Sequence, residues 1–147
     1  MRITEQVQSD LAAAAKARDQ NRLTALRLVL DALKKEAKEA RSDLDEKSEI
    51  AVLKRERKRR LEAAGAYREG GRPDRAESEE AEAHLVEEYL PEQLSDDEIA
   101  AIVTEAVGET GAQSQREIGT VMAVVMRRIG DRADGARVSA AVREQLS

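Results

Sequence analysis

The 147-residue chain has no cysteine, tryptophan or phenylalanine, two prolines and two tyrosines. Without cysteine there are no disulfides, no thiolate metal sites and no thiol nucleophile, which fits a reducing compartment. With Tyr67 and Tyr89 as the only aromatics, the core has to be built from Leu, Ile, Val, Ala and the three Met. β-Branched and aromatic residues are too sparse for a large sheet. Ala, Glu, Arg and Leu dominate and favour helix, so the expected class is all-α. No run approaches the roughly 20 apolar residues of a membrane span. Residues 1–6 lack the apolar stretch of a signal peptide. A soluble, cytoplasmic protein is therefore expected. The net charge of −5 argues against general nucleic-acid affinity, which shows a basic excess, but leaves room for a local basic patch.

Residues 89–95, Tyr-Leu-Pro-Glu-Gln-Leu-Ser, separate two unlike halves. Residues 1–90 read as an N-terminal helical, hairpin-like domain of long helices. Residues 91–147 read as a small three-helix tail domain. A first helix is expected over 4–17, with Val7, Leu11 and Ala14 on one side and Thr4 as a candidate cap. A second covers about 20–41. Its Leu23, Leu26, Leu30, Leu33, Ala37 and Ala40 form a narrow seam, widened by Leu28 and Val29. Asp43 or Asp45 caps the third, about 45–69, whose apolar side is read as Ile50, Leu53, Leu61, Ala64 and Tyr67. Gly70-Gly71 stops it, and Pro73 opens an acidic fourth helix. Pro91 closes that helix. In the tail, Ser95 with Glu98 and Ser114 with Glu117 are capping boxes for the fifth and sixth helices, and Asp134 caps the seventh.

Chemically, the loudest feature is the block from Lys54 to Arg60, basic at six of seven positions. With the second and third helices antiparallel across a short turn, Arg27, Lys34, Lys38, Arg55 and Arg59 are expected to share a neighbourhood. Lys34, Lys38, Lys54, Arg55, Lys58 and Arg59 are thus candidates for holding RNA phosphates, a contact that weakens steeply with salt. Arg127 and Arg128, near Arg132 and Arg137, form a second candidate cluster in the tail. The competing reading is a solvated face whose charges pair internally, with Glu79, Glu80 and Glu82 brought near residues 58–62. Stacking platforms are absent.

His84, the only histidine, has no companion ligand, so no metal is expected and it reads as an ordinary helix residue. Nothing marks a catalytic carboxylate pair, a phosphate loop or a nucleophile elbow, and no cofactor is expected. Gly119 fits close helix packing, or else the approach of a ligand backbone. Met122 and Met126 fit the core better than a partner surface.

Tyr89-Leu90-Pro91-Glu92-Gln93-Leu94, with Gly119-Thr120-Val121-Met122 and Ala133-Asp134-Gly135 after it, resembles the YLPxQL, G-x-V-M and A-D-G patterns of the GatB/YqeY family. The motif positions are Tyr89, Leu90, Pro91, Gln93, Leu94, Gly119, Val121, Met122, Ala133, Asp134 and Gly135. Ala25-Leu26-Arg27-Leu28 and Lys54-Arg55-Glu56 are also similar, so the resemblance spans nearly the whole chain. It implies an all-α protein like the tail of the GatB component of the tRNA-dependent amidotransferase. A tRNA-contacting accessory role in translation would follow, with tRNA or a tRNA-aminoacylation or amidation enzyme as partner. The family label of carbon–nitrogen ligase with glutamine as amido-N-donor would attach by association, because the catalytic part of GatB has no counterpart in these residues. The alternative is a protein–protein interaction module with no nucleic-acid role.

Overall fold

The computed structural model describes residues 2–147. These residues form seven α-helices and no strand: α1 (Ile3–Lys16), α2 (Gln20–Ala40), α3 (Glu46–Glu69), α4 (Pro73–Glu87), α5 (Asp96–Thr110), α6 (Ile118–Ile129) and α7 (Gly135–Leu146). They fall into two compact units, one ending at Leu90 and the other Pro91–Ser147.

Most helix ends have a local chemical cause. The Asp45 carboxylate accepts from the Ser48 N–H at 2.8 Å and so caps α3. Hydrogen bonds from Ser48 hold its pKa below the usual carboxylate value. Pro73 sits in the first turn of α4, where its missing N–H costs nothing. Ser95 and Glu98 exchange hydrogen bonds of 3.1 and 3.0 Å at the start of α5, and Gly111 ends that helix at φ 70°. Glu117 receives the N–H groups of Gln113 and Ser114, but this box closes a short 3₁₀ turn, Gln115–Glu117, that leads into α6. Asp134 occupies the cap position of α7 with no side-chain cap bond. Its backbone carbonyl receives the N–H groups of Arg137 and Val138 instead.

The start of α1 departs from expectation. Arg2 is the cap residue and Thr4 lies inside the first turn. The Thr4 N–H and hydroxyl both donate to Oε2 of Glu49 on α3, at 2.6 Å each. A carboxylate from a distant helix thus satisfies a first-turn donor that a local cap would otherwise serve.

In the first unit, α1 packs along α2 and α3 along α4. Val7, Leu26, Leu33, Leu53 and Val86 are fully buried. Three expected core positions are not: Leu28 and Ala40 are exposed and Leu61 is 41% exposed. Eight residues advance a helix by about 80° beyond whole turns, so Leu61 is rotated well away from the line of Leu53. Ala64, about 20° from that line, is buried. Two carboxylates, Glu49 and Glu56, are buried on α3 as well.

In the second unit, α5, α6 and α7 surround Ile99, Val103, Val121, Val125, Ile129, Ala133, Val138 and Val142. Met122 and Met126 pack partly buried against this core. Gly119 is not a close-packing site: it is exposed, and a methyl group there would meet nothing within 4 Å. Gly119→Ala should therefore stabilise the unit by about 0.5–1 kcal/mol, read as a higher midpoint in thermal unfolding. Gly130 has φ 58° and ψ −126°, a conformation that essentially only glycine adopts.

Residues 89–95 are anchored on both sides of Pro91. Leu90 is buried. The Tyr89 hydroxyl donates to Asp10 of α1 at 2.5 Å, and burial, followed by that carboxylate, pushes the phenol pKa above its usual value. On the other side, Gln93 Nε2 donates to the carbonyls of Pro91 at 2.8 Å and Asp131 at 3.0 Å. The Leu94 N–H donates to the Arg132 carbonyl at 2.8 Å. Arg137 then bonds the Leu94 carbonyl and the Asp96 carboxylate. The YLPxQL residues thereby clasp the two residues that precede Ala133-Asp134-Gly135.

Candidate nucleic-acid interface

Helical geometry divides the basic block of α3 into two sets. Arg57 and Arg60 turn toward α4. The Arg57 Nε bonds the Glu87 carboxylate at 2.7 Å. The Arg60 guanidinium is met by Glu82 at 3.4 Å, Glu79 at 3.6 Å and Glu56 at 3.7 Å. These two arginine side chains are 15% and 24% exposed. Arg55, Lys58 and Arg59 face outward, 48%, 77% and 66% exposed. Their carboxylate partners are Glu36 at 3.3 Å, Glu62 at 4.0 Å and Glu56 at 3.4 Å. The exposed pairs with Glu36 and Glu62 are worth under about 1 kcal/mol each, whereas Glu56 is buried. Lys54 is half-buried between the two sets.

The inner set is short of positive charge, because Arg60 serves three carboxylates. Burial raises the pKa of Glu82; Arg60 opposes the shift and neighbouring Glu79 adds to it. Oε2 of Glu79 and of Glu82 are buried without a hydrogen-bond donor. Glu87 behaves oppositely: burial pushes it up, but hydrogen bonds from Arg57 and His84 outweigh that and its pKa falls. A carboxyl whose folded pKa is raised costs stability while ionised, and that cost disappears as pH falls through the folded value. Glu82→Gln should therefore raise the thermal midpoint at neutral pH, and the gain should vanish near pH ~4. An equal gain at both pH values would show that the effect is not electrostatic.

The other candidate cations do not join the outward row. Glu36 is the residue of α2 that reaches Arg55. Lys34 and Lys38 each lie two residues from it, about 200° around the helix. Lys34 instead lines a separate recess with Arg2, Thr4, Asp43 and Leu44, and Lys38 is exposed. Lys34 and Lys38 do not join Arg55 and Arg59 as expected, because residues two apart on a helix face opposite ways, and the exposed Arg27 lies nine residues before Glu36, about 180° around α2 from it. In the second unit, Arg127 bonds back to the Ala123 carbonyl at 3.3 Å, and Arg128 is paired with Glu105 and Glu109. Arg132 and Arg137 donate to backbone carbonyls of their own unit.

His84 is exposed and lies 3.3 Å from Glu87. Among the described residues no group of three or more His, Asp or Glu is arranged to hold a metal ion. None of their helices is long and apolar enough to cross a membrane. An open groove of about 450 Å³ runs between α2 and α4, lined in part by Thr24, Ala25, Ser78, Glu82 and His84. It lies apart from the outward row.

The internal pairing with α4 was readable, since Glu79 and Glu82 were expected near residues 58–62 and Arg60 meets both; the buried carboxylates Glu49 and Glu56 of α3 were not read. A signal for them exists. Glu49, Leu53, Glu56, Arg60 and Ala64 recur at spacings of three and four, so the polar members fall on the line marked by Leu53 and Ala64.

The family described as Yqey-like protein matches residues 4–146 of the chain. No curated protein matches it.

Proposed function

The chain belongs to the Yqey-like protein family, and on that premise we propose that it is a tRNA-associated accessory module of the cytoplasm. In this reading it is a stand-alone relative of the tail of the tRNA-dependent amidotransferase and contributes binding rather than chemistry of its own. The helices up to Leu90 act as a hairpin-like region and Pro91–Ser147 as a three-helix tail. The supporting observation is the row Arg55, Lys58 and Arg59, held outward while Arg57 and Arg60 are consumed internally.

The test is filter binding of total tRNA to the purified protein, at salt rising from about 50 to 200 mM. Binding should be strongest at low salt. Replacing Lys54, Arg55, Lys58 and Arg59 together by Ala should weaken it at least ~10-fold and flatten the salt dependence. An unchanged slope would move the contact to the tail, where Arg127, Arg128, Arg132 and Arg137 cluster. No binding at about 50 mM salt would defeat the RNA reading. It would favour the protein-interaction alternative, for which the internal pairing of Arg57 and Arg60 speaks. Glutamine-dependent amidation by the chain alone would overturn the binding-only part.

A further inference from the structure

We infer that the outward row of α3 takes the sugar–phosphate backbone of helical RNA, reading charge and shape but not bases. This rests on the RNA reading above and narrows its ligand. Arg55, Lys58 and Arg59 stand within little more than one turn of a single helix. That helix is fixed from behind by Arg57 on Glu87, by Arg60 on Glu79 and Glu82, and by the burial of Leu53 and Ala64. The cations are therefore carried on a backbone that needs no ordering when a ligand arrives, which removes one of the usual costs of association. Glu36 and Glu62 hold Arg55 and Lys58 only in exposed ion pairs, which a phosphate can displace; Arg59 reaches back to the buried Glu56, which Arg60 also serves, and keeps its exposed side toward solvent.

Charge is what the row offers. The only aromatics are Tyr67 and Tyr89. Tyr89 is half-buried and bonded to Asp10. Tyr67 is half-buried and lies about 40° from the line of Leu53, away from the row. Recognition of single strands leans on aromatic stacking, whereas helical RNA is gripped through phosphates and 2′-hydroxyls. Beyond the row come Gly65 and Ala66, both exposed. A methyl at Gly65 would meet nothing within 4 Å, so a broad duplex can lie across the helix there. Glu62 stands within the row and both repels phosphate and occupies Lys58. It sets a ceiling on affinity.

The experiment is competition against labelled tRNA on the full chain at about 50 mM salt. The competitors are an unrelated blunt RNA duplex and an oligo(U) strand with the same number of phosphates. The duplex should displace tRNA about as well as tRNA itself, while oligo(U) should need at least ~10-fold more. Changing Arg55, Lys58 and Arg59 together to Ala should lower the slope of log affinity against log salt by about 2–3. Glu62→Gln should tighten binding about two- to fivefold, a gain that misfolding cannot imitate. If tRNA binds but oligo(U) competes as well as duplex, or Glu62→Gln changes nothing and the triple variant keeps its slope, the inference is overturned and the RNA reading stands. If tRNA does not bind at all, the RNA reading falls and takes the inference with it.

Discussion

Arg60→Met is expected to destabilise the first unit by about 2–4 kcal/mol, below the full cost of breaking a buried ion pair because the site is partly open to solvent. Methionine keeps much of the packing volume but withdraws the one guanidinium that Glu56, Glu79 and Glu82 share. Glu56 would keep Arg59, whereas Oε2 of both Glu79 and Glu82 already lacks a hydrogen-bond donor. Both tyrosines precede Leu90, so tyrosine fluorescence in a urea titration reports the first unit separately from the tail. Adding Glu82→Gln to Arg60→Met should restore part of the loss, because the carboxylates are coupled through the same cation. A loss below about 0.5 kcal/mol would mean that solvent already screens the network.

Leu53→Ala should cost about 3–4 kcal/mol by the same readout, since Leu53 is fully buried between packed helices. Leu61→Ala should stay within about 0.5 kcal/mol, as exposed substitutions do. The contrast matters more than either value. Both leucines occupy the same long helix and looked equivalent in the sequence. Comparable losses would mean that Leu61 is covered and that the inward line of α3 is drawn wrongly.

That pair shows where the sequence was legible. Pro73, Gly111, and Ser95 with Glu98 could be read because each acts on groups within one turn of itself. The seam of α2 could be read because Leu23, Leu26, Leu30 and Leu33 keep an apolar period. Along α3 the period continues but its chemistry changes: the inward positions after Leu53 are Glu56, Arg57 and Arg60. Burying such residues makes sense only once the carboxylates of α4 are in place, and those arrive some twenty residues later. Thr4 was misread for the same reason, because its partner Glu49 is 45 residues away. The basic block was legible as a feature, and Arg55, Lys58 and Arg59, picked from it as candidates, face outward; the burial of Glu56 beneath them was not legible, because nothing in the chemistry of its neighbours marks it as covered.

The anchors around Pro91 have a consequence for how this chain tolerates cutting and joining. Tyr89 is committed to Asp10, and Gln93 and Leu94 to Asp131 and Arg132, each within its own unit. Proline contributes no N–H that a ladder could lose. The peptide bond between Leu90 and Pro91 is therefore a seam in the genetic sense, where residues can be inserted, or another upstream helix spliced on, with both sets of hydrogen bonds intact. Pro91–Ser147 carries its own clasp and its own core, and so has the makings of a cassette that can travel between chains.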